Sequence, residues 1–218
     1  MKILFSQVKQ FVGFPLHIAK KGKKPIFQIS ELFLFLPLKF YLCPMASQKV
    51  FIISGAQGEG KTTRLKEVLN LLQKSDKSFA GFVAVGSWDN NKRTAFNLVN
   101  IQSGDSIPLC GITAKENWLK AGRFYFNRDA IAMGEKWLLE NKNSQTGFVV
   151  IDEIGIFELD NKIWHTAFQK LLKQSNCQLI ITVRESILEN IIQKYMLENI
   201  EVFSLKSTAK EIAERICE

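Results

Sequence analysis

One short run, residues 55–62 (GAQGEGKT), constrains this chain more than any other, because three of its first six residues are glycine. Glycine costs conformational entropy in a strand or a helix and is used where the backbone must turn sharply. The run therefore interrupts whatever surrounds it. Before it, Lys49 to Ser54 is a β-branched and aromatic stretch that reads as a strand. After it, Leu65, Val68, Leu69 and Leu72 recur at helical spacing. The local order is strand, glycine-rich loop, helix.

The rest of the chain extends that order. Ser78 to Trp88 and Arg93 to Gln102 read as strands joined by a hairpin turn over Asp89, Asn90, Asn91 and Lys92, and Ile107 to Ile112 extends the meander. A helix is expected over Arg128 to Asn141, with Asn127 as its N-cap and Ile131, Met133, Trp137 and Leu138 as apolar positions. Phe148 to Ile151 and Gln178 to Val183 are apolar runs without alternation, as in parallel strands covered on both faces. Between them, Ile163 to Leu172 has helical patterning. Ser186 with Glu189, and Thr208 with Glu211, have capping-box spacing before two further helices, and Glu201 to Leu205 is a short strand. Strands alternating with helices predict a layered α/β fold with a mostly parallel sheet and a local antiparallel insertion.

The glycine-rich run also satisfies G-x-x-x-x-G-K-[ST] in the strand-to-helix context that its mechanism needs. Gly55, Gly58 and Gly60 let backbone N–H groups converge on phosphate oxygens, and the helix start adds a positive dipole. Gly55, Ala56, Gln57, Gly58, Glu59, Gly60, Lys61, Thr62 and Thr63 are the candidate nucleotide-binding residues. Lys61 supplies a point charge to the β- and γ-phosphates. The Thr62 hydroxyl is a candidate Mg²⁺ ligand, and Asp152, ending a buried strand, is the second. Glu153 beside it is placed to act as general base toward a water molecule. A cation near the γ-phosphate would assist a loose transition state. Of the arginines near the two motifs, Arg123, Arg128 and Arg184, either Arg128 or Arg184 is the candidate.

The two motifs, Gly55 to Thr63 and Asp152-Glu153-Ile154-Gly155 followed by Glu158, resemble those of the cancer-related nucleoside-triphosphatase family of RecA-like P-loop proteins. The likeness includes Gly81 and Phe82, Arg93 and Phe96, Ser103 and Gly104, Gly122 to Tyr125, and Thr182, and it covers nearly all of residues 48–218. It implies a three-layer RecA-like fold and Mg²⁺-dependent hydrolysis of ATP, GTP and other nucleoside triphosphates, with weak base discrimination and Glu153 activating the water. Ala95 stands where that family usually carries glycine. A small nucleoside or nucleotide kinase shares the loop but needs an acceptor pocket and an arginine-rich lid. No arginine cluster is visible in the sequence, and paired Asp152 and Glu153 favour water as acceptor. A nucleotide-controlled switch with slow turnover would use the same residues.

Charge separates the chain into two parts. Of the formal net charge of +8, +6 lies in Met1 to Pro44, which holds seven lysines and one glutamate. The remainder, 45–218, is nearly balanced, so the overall basicity does not predict nucleic-acid binding. Met1 to Pro44 has no uncharged apolar run long enough to span a bilayer, which takes roughly 20 residues. It is expected to be a leader outside the functional protein, with a basic, aromatic membrane- or partner-binding arm and a packed element as the other readings. Cys43, Cys110, Cys177 and Cys217 are widely separated, as suits reduced thiols and a cytoplasmic protein. No stable membrane insertion is expected, and the residues point to no particular protein partner.

Overall fold

The computed structural model describes residues 48–74, 77–89, 92–140, 147–174 and 177–218. The proposed leader, the two central turn residues Asn90 and Asn91, and the expected helix end at Asn141 lie outside them. The elements are β1 (Val50–Gly55), α1 (Lys61–Leu72), β2 (Phe79–Asp89), β3 (Lys92–Asn100), β4 (Ser106–Gly111), β5 (Trp118–Ala121), β6 (Phe124–Asn127), α2 (Arg128–Leu139), β7 (Phe148–Ile151), α3 (Ile156–Leu159), α4 (His165–Gln174), β8 (Gln178–Arg184), α5 (Leu188–Tyr195), β9 (Ile200–Ser204) and α6 (Ala209–Cys217).

The nine strands among the described residues form one sheet in the order β5-β6-β4-β3-β2-β7-β8-β1-β9. From β2 to β9 every pairing is parallel, and from β2 through β3, β4 and β6 to β5 every pairing is antiparallel. The antiparallel part is thus four strands beyond β2 and larger than one hairpin. The strand alternation sorts side chains into two cores. Phe51, Ile53, Phe148, Val150 and Ile180 face α1 and α6. Val50, Ile52, Val149, Ile151, Leu179 and Ile181 face the other way, into the core built with α2, α4 and α5. The result is three layers, helix, sheet and helix.

Two helix ends follow local chemistry, one departs from it, and one helix face departs from its expected pattern. Asn127 accepts a hydrogen bond from the Asp129 N–H at 3.1 Å, and Thr208 with Glu211 forms the capping box at the start of α6. Ser186 does not cap: it sits in a single 3₁₀ turn, Glu185–Ile187, and α5 follows without a side-chain cap. In α2 the buried positions are Ala130, Gly134 and Leu138, while Met133 faces solvent. Gly134 replaces the expected apolar side chain because Trp164 packs directly on its backbone. A Cβ there would lie 2.5 Å from the indole ring and 3.0 Å from Leu98. Trp164 itself is tilted against Phe82, with ring centroids 4.7 Å apart. None of the described helices is long and apolar enough to cross a membrane.

The Gly134 contact makes a prediction that opposes helix propensity. Alanine is favoured over glycine in a helix interior by about 1 kcal/mol, whereas overpacking a core costs about 1–3 kcal/mol. Gly134→Ala is therefore expected to lower the urea midpoint; a midpoint that rises would show that Trp164 is free to withdraw.

Candidate active site

Parallel strands direct their carboxyl ends to one edge, and β1, β8, β7 and β2 do so in this sheet. Gly55 ends β1 opposite Arg184 of β8 in register, and Ile151 of β7 stands opposite Ile181 of β8 and Phe82 of β2. The glycine-rich loop, Arg184 and the acidic pair Asp152 and Glu153 are thereby collected along one edge. They line a cleft of about 330 Å³ that continues toward the antiparallel strands.

The loop holds Gly58 at φ 80° and Gly60 at φ 109°, conformations that glycine takes at little cost. Gly60 is the N-cap of α1 and supplies no side chain, so the helix start presents bare amides to the cleft. The Glu59 carboxylate accepts from the Ala56 N–H at 2.6 Å. Lys61 is buried, and its Nζ donates to the carbonyls of Gly55 at 3.2 Å and Ala56 at 3.0 Å. Burial lowers the pKa of its ammonium from the ordinary value, opposed chiefly by the nearby Glu153 carboxylate.

Asp152 is 2% exposed. Its Oδ1 accepts from the Thr182 hydroxyl at 2.6 Å, its Oδ2 from the Ala84 N–H at 3.2 Å, and Thr62 is a further side-chain donor. Burial nonetheless raises its pKa above the usual carboxylate range. Among the described residues no cation forms an ion pair with it. A buried carboxylate beside a threonine hydroxyl is a hard-oxygen donor set of the kind Mg²⁺ takes alongside substrate phosphates. The residues present therefore fit that ion.

Glu153 points to β8, where Arg184 Nε donates to its Oε1 at 2.7 Å. Arg184 Nη1 also reaches Gln57 Oε1 at 3.5 Å, linking the acidic pair to the glycine-rich loop. The two side chains of the ion pair are 38% and 28% exposed. An exposed pair contributes about 0–1 kcal/mol to stability, so its main consequence is orientation: it fixes where the Glu153 carboxylate stands.

Glu158 is buried one turn farther on. Its Oε2 accepts from the Gly155 N–H at 2.7 Å and its Oε1 from the Trp164 N–H at 3.2 Å. The Tyr195 hydroxyl donates to the Glu158 carbonyl at 3.0 Å and also contacts His165 Nδ1 at 2.8 Å. Glu158 thus pins the segment that follows Glu153 to the approach of α4. Burial pushes its carboxyl up to about 7.

The candidate arginines are distributed unevenly. Arg184 lines the cleft, whereas Arg128 is exposed at the start of α2 and is not among the lining residues. Arg93 and Arg123 do line it, and the Arg123 Nη2 donates to the Arg93 carbonyl at 3.4 Å. Three arginines scattered over the chain therefore share one cleft. Their spatial grouping has no sequence signal, although Arg93 and Arg123 both lie in motifs that carry the family resemblance.

Residues 50–217 match the family model described as NTPase. The nucleoside-triphosphatase THEP1 of Thermotoga maritima is 26% identical over 136 residues, which are 62% of this chain and 74% of that protein. A cancer-related nucleoside-triphosphatase homolog of Mus musculus is 27% identical over 145 residues, 63% of this chain and 75% of that protein. Among solved structures, a human cancer-related nucleoside triphosphatase in solution aligns with a TM-score of 0.60 at 20% identity, covering 78% of this chain and 96% of that one. The crystal structure of THEP1 from Aquifex aeolicus aligns with a TM-score of 0.57 at 22% identity, covering 77% and 96%. At these identities the solved structures establish a shared fold.

The Glu158 contacts set both the size and the pH dependence of an effect on stability. Removing its carboxyl leaves two buried N–H groups unpaired, at about 1–3 kcal/mol each. Glu158→Ala is thus expected to cost about 2–5 kcal/mol in urea denaturation. Because the native carboxyl titrates near 7, above its ordinary 4.5, its contribution is fully present below the ordinary value and is lost as pH rises toward 7. Glu158→Gln should flatten the decline in the denaturation midpoint between those values. A decline as steep in Glu158→Gln as in the unaltered protein would assign it to other groups.

Proposed function

The chain belongs to the NTPase family, and from that membership and the cleft we propose that it is a Mg²⁺-dependent phosphohydrolase that converts nucleoside triphosphates, ATP and GTP among them, to diphosphates and phosphate. One observation carries the reading: Glu153, held by Arg184 at 2.7 Å, shares a cleft with Lys61 and Thr62. A carboxylate so placed beside a phosphate loop suits activation of water.

In this reading the loop amides from Gly58 to Thr63 and the Lys61 ammonium bind the β- and γ-phosphates. Lys61 exchanges its carbonyl partners for phosphate oxygens, a stronger charge-assisted contact. Thr62 and Asp152 would hold Mg²⁺, which when bound supplies positive charge to the phosphate oxygens. Glu153 takes the proton of the attacking water, and Arg184 keeps its carboxylate aimed. Arg184 is thereby a positioning residue in the free protein, and it is placed to meet charge developing on the γ-phosphate. Broad use of bases fits a site whose assigned contacts all address phosphates.

The roles separate in a paired measurement of nucleotide binding and phosphate release. Lys61→Ala is expected to abolish both. Glu153→Gln should bind ATP with unchanged affinity and release phosphate at least about 100-fold more slowly, the scale of a lost general base. Undiminished release by Glu153→Gln would remove Glu153 as the base. Arg184→Ala is expected to lower kcat with little change in KM, through misplacement of Glu153.

A further inference from the structure

A loop built on glycines must be held in shape before it can present its amides to phosphate, because glycine loses more conformational freedom on ordering than any other residue. Among the described residues, three side chains restrain residues 55–60. Lys61 Nζ donates to the Gly55 and Ala56 carbonyls, Arg184 Nη1 reaches Gln57 at 3.5 Å, and the Glu59 carboxylate accepts from the Ala56 N–H at 2.6 Å. In the proposed reaction Lys61 gives up its carbonyls for phosphate oxygens. The short Glu59 bond is the restraint that does not depend on the nucleotide.

The same local geometry recurs elsewhere in the chain. A glutamate carboxylate reaches back to the amide three residues before it from Glu158 to Gly155 and from Glu211 to Thr208, both at 2.7 Å, and there it starts a helix. Between Glu59 and Ala56 it closes a turn instead, and the Glu59 N–H returns to the Ala56 carbonyl at 3.4 Å. The carboxylate turns away from the cleft: Gln57, Gly58, Gly60 and Lys61 line it, and Glu59 does not. It lies over Gly55, where a Cβ would stand 2.8 Å from its Oε2 and 2.7 Å from Leu205 Cδ1. The missing side chain of Gly55 makes that room. Arg64 of α1 donates to the carbonyls of Leu205 and Ser207, so the connection from β9 to α6 is tied to the helix that the loop precedes.

We infer that Glu59 is a positioning residue for phosphate: from outside the cleft its carboxylate holds the loop in its phosphate-binding form, and so strengthens binding of the triphosphate and of the diphosphate product. The inference rests on the proposed triphosphate site and adds to it a side chain that touches no substrate. Two effects of the carboxylate oppose each other. Its negative charge repels phosphate, but Glu59 is exposed, and salt screens exposed charges over about 8–10 Å. Its hydrogen bond is charge-assisted and so stronger than one between neutral groups, and a loop already held in its bound shape loses less freedom on binding. The bond outweighs the charge.

The test compares the unaltered full chain with Glu59→Ala and with Glu59→Gln, which keeps an oxygen acceptor without the charge. Calorimetry with Mg²⁺ and either ADP or a non-hydrolysable ATP analogue reports affinity. Hydrogen exchange followed by NMR reports the Ala56 amide in the free protein, and steady-state phosphate release separates KM from kcat. Glu59→Ala is expected to bind both nucleotides at least about ten-fold more weakly, the scale of a lost charge-assisted bond. Its Ala56 amide should exchange faster, and its KM should rise with a smaller change in kcat. Glu59→Gln should recover most of the loss and bind within about three-fold of the unaltered protein. Unchanged affinity in Glu59→Ala would overturn the inference. Binding by Glu59→Gln more than about three-fold tighter than by the unaltered protein would make repulsion the larger effect and overturn it too. Equal weakening in both variants would assign the effect to charge alone, against a brace made by a hydrogen bond. An unaltered protein that binds neither nucleotide would remove the triphosphate site itself, a result distinct from equal binding by the unaltered protein and Glu59→Ala.

Discussion

A carboxylate taken almost entirely out of water must find partners, and Asp152 finds them on three different elements. Thr182 reaches it from β8, the Ala84 amide from β2 and Thr62 from α1. Those contacts fix the relative heights of three strands and a helix start at one edge of the sheet. They also leave a negative charge with neutral donors, in surroundings that disfavour it. The arrangement is costly to the fold by itself and suited to a cation, which explains why so polar a cluster persists at the end of an otherwise apolar strand.

The sheet divides labour on either side of β2. Its parallel half ends in the glycine-rich loop, Arg184 and the acidic pair, and so concentrates groups that address phosphate. Its antiparallel half lays Phe96, Leu109 and Phe126 along the same cleft and adds two arginines that have no carboxylate of their own among the described residues. Glu158 and Trp164 join the halves. The Glu158 carboxyl ties the loop after Glu153 to the Trp164 amide, and the Trp164 ring packs on Phe82 and on the Gly134 backbone. The position of the proposed base is therefore coupled to the packing of α2.

Much of this was legible in the sequence where the signal is local. The glycine-rich loop, the apolar run of β7 and the Thr208 capping box each lie within a few consecutive residues whose chemistry dictates their backbone. Other features depend on contacts between distant segments. The hairpin of β5 and β6 consists of two strands of four residues, too short for alternation to register. Met133, expected on the apolar face, is exposed, and Gly134 is buried in its stead because Trp164, thirty residues on, needs the space of a missing side chain. Ser186 has the right spacing for a cap, yet the chain leaves β8 through a 3₁₀ turn. The grouping of Arg93, Arg123 and Arg184 follows from sheet order, which no single stretch encodes.

The most direct test of the account is phosphate release from ATP, GTP, CTP and UTP without any acceptor, measured with Mg²⁺ and again after chelation. The account predicts release from all four at comparable rates, and its loss on chelation. Release confined to one base, or undiminished without the metal, would contradict a site that recognises triphosphates through Lys61, Thr62 and Asp152.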